Sequence, residues 1–218
     1  MGKLAILFLL AVQLGAASSI SATPGATKDP APKLLEAIEI LHLKPGVNLI
    51  PDFGPAGEPV TIVQGWRGNG NAHGYNVWML SVPESEGNAF GIIGVDYDHA
   101  HFLDVVRDDP FTGEQRLGTV YFARAKLGGK PVSLLIDAEL DPSPSDAFAD
   151  HATATIRVLR LEQTDGVPGT TPVAFEPLEV LHTKQRYCNS DYAVRDALGI
   201  PLSADAEVDG VHKVDGCY

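Results

Sequence analysis

From Val60 onward the chain is a succession of short apolar segments rich in Val, Ile, Tyr and Phe, divided by Gly and Pro clusters, and that rhythm leaves few folds open. The segments are Val60 to Trp66, Tyr75 to Val82, Ala89 to Asp96, Leu117 to Ala125, Pro131 to Glu139, Ala152 to Leu161 and Val173 to Thr183. β-Branched and aromatic side chains suit a pleated, half-buried surface. No segment among them sustains the apolar period of a long amphipathic helix. The pattern predicts an all-β fold, mainly antiparallel sheet, closed as a β-sandwich or in a barrel-like form.

Two stretches depart from this rhythm. Ala37 to Leu43, Lys44-Pro45-Gly46 and Val47 to Ile50 suit a hairpin, while Leu34 to Leu41 also fits an amphipathic helix. Near the C-terminus, Asn189-Ser190-Asp191 offers a polar cap before Tyr192 to Leu198, Gly199 follows as a stop residue, and Pro201 forbids continuation. One short C-terminal helix is therefore expected. There is no internal repeat and no sign of a second domain.

Residues Met1 to Ala22 begin with Lys3, run through the apolar Leu4 to Val12 and end in small residues, the order of a secretory signal peptide. Cleavage is expected after Ala22, with Ala17 and Ser18 as alternatives. Residues 23–32 read as a flexible mature N-terminus and 33–218 as a single β-rich domain. The mature chain has no segment suited to spanning a membrane. A formal charge of −12 repels nucleic acid and anionic lipid, so neither is an expected partner. The two cysteines, Cys188 and Cys217, are expected to form a disulfide in an oxidising compartment. The alternative is a pair of unpaired thiols.

Three clusters can carry chemistry. Arg67-Gly-Asn-Gly-Asn-Ala-His-Gly-Tyr75 places polar side chains on a backbone that its glycines leave free, which suits either a binding loop or a plain hairpin turn. Asp98, His99 and His101 offer a partial divalent-metal site, because two imidazoles at alternate positions share one face of a strand. Asp137 to Asp150 is an acidic run without the spacing of a calcium loop, and it also reads as a surface loop between strands. Searches for a Ser-x-x-Lys, a Gly-x-Ser-x-Gly elbow, a His-Glu-x-x-His helix and a phosphate loop find none, which argues against an enzyme.

Three segments in order resemble the CarG-type carbapenem self-resistance family. They are Gly46 to Ile50 with Arg67 to Tyr75, Asp137 to Asp141 with Ala147 to Asp150 and the run to Leu161, and Lys184 to Asp191. Pro51 to Gly57 departs from the polar turn expected there, and no cysteine lies between Val105 and Arg124, so the resemblance also pairs Cys188 with Cys217. It implies a non-catalytic protein of the bacterial periplasm that binds a small molecule or a protein partner, with no cofactor. Arg67, Asn69, Asn71 and His73, with Glu139 and Asp141, are the candidate ligand-binding residues, since Arg pairs a carboxylate and Asn amides hold carbonyls. The alternatives are a metal-dependent hydrolase using Asp98, His99 and His101, and a structural module of the envelope.

Overall fold

The computed structural model describes residues 35–70, 74–84, 89–98, 101–108, 117–142, 151–166 and 171–201, and within them the apolar runs become strands. In chain order these are β1 (Leu35–Ile40), β2 (Gly46–Ile50), β3 (Val60–Arg67), β4 (Tyr75–Pro83), β5 (Phe90–Ile92), β6 (Gly94–Asp96) and β7 (Phe102–Leu103). They continue as β8 (Val105–Arg107), β9 (Gly118–Leu127), β10 (Lys130–Leu140), β11 (Ala154–Gln163), β12 (Val173–His182) and the single helix α1 (Ser190–Leu198). The expected leader Met1 to Ala22 and the segment 23–32 lie outside the described residues. Among the described residues no helix is long and apolar enough to cross a membrane.

The strands pair into a seven-stranded sheet, β1-β9-β10-β11-β12-β6-β7, and a five-stranded sheet, β2-β3-β4-β5 with β8 also on β4. Pairing is antiparallel except between β12 and β6. Strand alternation explains the layering. On β10, Leu135 points into a core that also takes Ile62, Trp78 and Leu80 from the five-stranded sheet. Its neighbours Leu134, Ile136 and Ala138 point the other way, against Leu35, Tyr192, Ala193 and Val194. The seven-stranded sheet is thus the middle layer, with the five-stranded sheet on one face and α1 on the other. An aromatic edge joins the two sheets, Trp78 to Phe122 at 6.1 Å between ring centroids, and Phe122 lies 6.3 Å from Phe175 of its own sheet.

The helix follows its signals. Asn189 caps it by accepting the Asp191 amide at 2.8 Å, and Gly199, at φ 71°, closes it with its own amide on the Arg195 carbonyl. Buried Asp191 accepts the Tyr121 hydroxyl at 2.7 Å, tying the first turn to β9.

Several expectations need correction. β1 and β2 do not form a hairpin: β1 pairs with β9 and β2 with β3, because Leu35 belongs to the helix-side core while Ile50 packs against the core between the sheets. Ala89 to Asp96 is two strands in two sheets. The chain crosses at buried Ile93 and at Gly94, where a Cβ would stand 2.5 Å from Thr171 and 2.9 Å from Phe102, so only glycine passes. The expected partner of Cys188, Cys217, lies outside the described residues, while Cys188 itself is disulfide-bonded. Cys188 is buried, and Ala152 and Tyr187 hold the stretch before it by exchanging backbone hydrogen bonds at 2.9 and 2.7 Å.

Candidate functional site: a charged cleft at the open end of the sandwich

Past Leu135 the inward face of β10 changes from apolar to charged. Asp137 and Glu139 keep the parity of Leu135, so they point toward the space between the sheets and away from the helix. Register sets Asp137 between Val120 and Arg157, and Glu139 between Gly118 and Thr155. From β11, Arg157 Nη1 reaches Glu139 Oε2 at 2.9 Å and Asp137 Oδ2 at 3.7 Å. Tyr97, which follows β6, adds a hydroxyl bonded to Asp137, and its ring centroid lies 5.8 Å from the Arg157 guanidinium carbon.

The opposite wall comes from β7 and β8. The resulting cleft, of about 820 Å³, is lined among others by Phe102, Asp104, Arg107 and Gly118, together with Tyr97, Asp137, Glu139 and Arg157. β8 is anchored by Asp108, whose carboxylate accepts the Asn76 backbone amide at 2.7 Å and the Asn76 side-chain amide at 2.8 Å. At the lip, Arg107 stacks 5.6 Å from the Tyr75 ring centroid.

Electrostatics bind the cluster into one unit. Burial pushes the Tyr97 phenol far above its ordinary value, and the Asp137 charge and hydrogen bond push it further, against a smaller opposing effect of Arg157. Burial works to lower the Arg157 guanidinium, but the Glu139 hydrogen bond and the charges of Glu139 and Asp137 outweigh it, and the net shift is upward. Tyr97 is therefore a neutral donor and Arg157 a fixed cation at any ordinary pH. Glu139 and Arg157 both stay partly open to solvent, with side-chain exposures of 45% and 31%. The cleft thus presents a carboxylate and a guanidinium side by side to whatever enters it.

The residues singled out in the sequence divide between this cleft and other places. Glu139 lines it. Asp141 does not, because its two oxygens accept the hydroxyls of Thr153 and Thr155 at 2.6 and 2.7 Å, closing the ends of β10 and β11. Arg67 ends β3 in the exposed region, 5.7 Å from the Tyr75 ring, so Arg67 and Arg107 both stack on Tyr75. Asn69 is exposed in the following loop, while Asn71 and His73 lie outside the described residues. Gly74 has a structural cause: a Cβ there would stand 2.1 Å from the Trp66 ring. For the metal alternative, Asp98 and His101 meet at 3.3 Å on an exposed surface, and His99 lies outside the described residues. Among the described residues no group of three His, Cys, Asp or Glu is placed to hold a metal ion. Tyr97, Arg107 and Arg157 were not singled out in the sequence. Only Arg157 had a signal, the strand parity that turns its position on β11 inward with Leu159.

No family model matches the chain, and no curated protein matches it. A solved structure of CarG is similar in fold, with a TM-score of 0.59 and 14% sequence identity, over 72% of this chain and 94% of that one. At this identity the likeness shows the fold alone.

Proposed function

We propose that this chain is a non-catalytic exported protein of the bacterial periplasm that binds, in the cleft around Arg157 and Glu139, a small ligand carrying both an anionic and a cationic group. The observation that carries the reading is the juxtaposition of Arg157, Glu139, Asp137 and Tyr97 at an end of the sandwich that the second sheet leaves open. Arg157 offers donors to a ligand carboxylate, and Glu139 and Asp104 offer acceptors to an ammonium. The leader-like order of Met1 to Ala22 supports export. The sequence resemblance and the CarG-like fold favour a carbapenem as the first ligand to try, since a zwitterionic carbapenem has both groups.

Titration calorimetry with meropenem tests the reading. The wild-type protein is expected to bind, and Arg157→Met and Glu139→Gln each to weaken binding about tenfold or more. No binding heat from the wild type, with meropenem or with simple amino acids as smaller zwitterions, removes the small-ligand reading in favour of a protein partner. The β-lactam absorbance of meropenem is expected to stay constant in the mixture. A protein-dependent loss of that absorbance contradicts the non-catalytic part.

A further inference from the structure

Of the arginines on the described strands and on α1, Arg124 donates to the Pro51 carbonyl, Arg157 holds Glu139 and Asp137, Arg160 holds Glu162, and Arg195 holds Asp196. Arg67 and Arg107 differ. Among the described residues neither meets a carboxylate, and what they share is the ring of Tyr75, whose centroid lies 5.7 Å from the Arg67 guanidinium carbon and 5.6 Å from that of Arg107. In a chain with 28 acidic residues against 16 basic ones, two neighbouring arginines without an acid are the exception.

Strand order builds the arrangement. β4 lies between β3 and β8, so Tyr75 has Arg67 directly opposite on one side, while Arg107 pairs with Val77, two residues along, on the other. The alternate residues Ile62, Trp78 and Val106 are buried, so Arg67, Tyr75 and Arg107 share the outward face. Both arginines are exposed there. The Trp66 ring packs on Gly74 and sets the backbone where Tyr75 begins β4. Asp108, next to Arg107 in the chain, turns inward: it is buried, and its carboxylate accepts the backbone and side-chain amides of Asn76. None of the five strands of this sheet carries an Asp, a Glu or a Lys.

Two guanidiniums on one ring select the kind of anion. Each is a permanent cation with a planar fork of donors, and stacking on an aromatic ring holds it in place while leaving its N–H groups free. A carboxylate is filled by one such fork. A phosphate monoester carries about two negative charges at neutral pH and three strong acceptor oxygens, which suits two forks and the Tyr75 hydroxyl together. The formal charge of −12 does not cancel this attraction, because at physiological ionic strength exposed charges more than about 8 Å away are largely screened. We propose that Arg67, Tyr75 and Arg107 form an anion site for the phosphate group of a small phosphomonoester, with both guanidiniums and the Tyr75 hydroxyl donating to its oxygens. The site lies apart from the Arg157 and Glu139 pair and stands whether or not a zwitterion enters the cleft.

Titration of the ¹⁵N-labelled full-length protein with glycerol 3-phosphate at constant ionic strength, followed through the arginine side-chain Nε–Hε signals, tests this. The wild type is expected to show saturable shifts at Arg67 and Arg107, and Arg67→Gln and Arg107→Gln each to raise the dissociation constant about fivefold or more. Arg186→Gln, at an exposed residue outside the site, removes the same charge and is expected to leave binding unchanged. Circular dichroism of each variant separates lost binding from lost folding. A wild type that shows no saturable shift at tens of millimolar glycerol 3-phosphate overturns the proposal. So does binding that persists unchanged in both Arg67→Gln and Arg107→Gln, because the phosphate then sits elsewhere. Acetate that shifts the same signals with equal affinity overturns the assignment to phosphate.

Discussion

The two sheets share one core and differ in almost everything they turn away from it. Every Asp and Glu on a described strand belongs to the seven-stranded sheet, where Asp137 and Glu139 meet Arg157 in the cleft and the other face is covered by α1. Among the described residues the strands of the five-stranded sheet carry no carboxylate and no helix packs on them, and Val47, Leu49, Met79 and Val105 are exposed. Charged side chains recognise a small polar ligand when a concave site partly withdraws them from water, and the seven-stranded sheet supplies such a site.

The largest effect is expected in the core that both sheets share. Phe175→Ala, at a fully buried residue in the shared core, is expected to cost about 3–5 kcal/mol in urea denaturation. A cost below about 1 kcal/mol denies the common core. Next, the same charge can be removed from each sheet. Arg157→Met leaves Asp137 and Glu139 without their cation and is expected to cost about 1–3 kcal/mol. Arg107→Met, on an exposed residue of the other sheet, is expected to stay within about 0.5 kcal/mol. Equal costs erase the contrast.

Alkaline pH sharpens it further. Burial and the hydrogen bond to Asp196 push the Tyr187 phenol up to about 12, above its ordinary 10, and Tyr97 on Asp137 is pushed higher still. A tyrosine raised in the folded state holds its proton longer folded than unfolded. Its contribution is therefore complete below pH 10 and is lost as pH rises through about 12. Stability is expected to fall over that window by about 1.4 kcal/mol per pH unit for each such tyrosine. Tyr187→Phe is expected to flatten the slope by one such share, and an unchanged slope removes Tyr187 from the account. The smallest effect belongs to the outer face of the five-stranded sheet: Leu49→Asp, at an exposed residue, is expected to change stability by no more than about 0.5 kcal/mol.

Much of this frame was legible in the sequence. Val60 to Trp66 and Pro131 to Glu139 read as strands because β-branched and aromatic residues crowd them, and Gly199 and Pro201 marked the helix end by backbone chemistry alone. Sheet membership was not legible. β1 beside β9, and the crossing from β5 to β6 at Gly94, are set by contacts far apart in the chain. β7 and β8 were missed because they are two and three residues long, interrupted by Asp104, and too short to show alternation. At the site, Glu139 stood out as part of an acidic run. Arg157 did not, because one Arg in Ile156-Arg157-Val158 looks like an outward residue until pairing puts it opposite Asp137.

Backbone amide shifts of the ¹⁵N-labelled protein, titrated with meropenem, show where the ligand sits. Saturable shifts are expected at Tyr97, Gly118, Asp137, Glu139 and Arg157, with unchanged amides at Val47, Leu49 and Met79. No shifts on titration, or shifts centred on the five-stranded sheet's outer face, would contradict binding in the cleft.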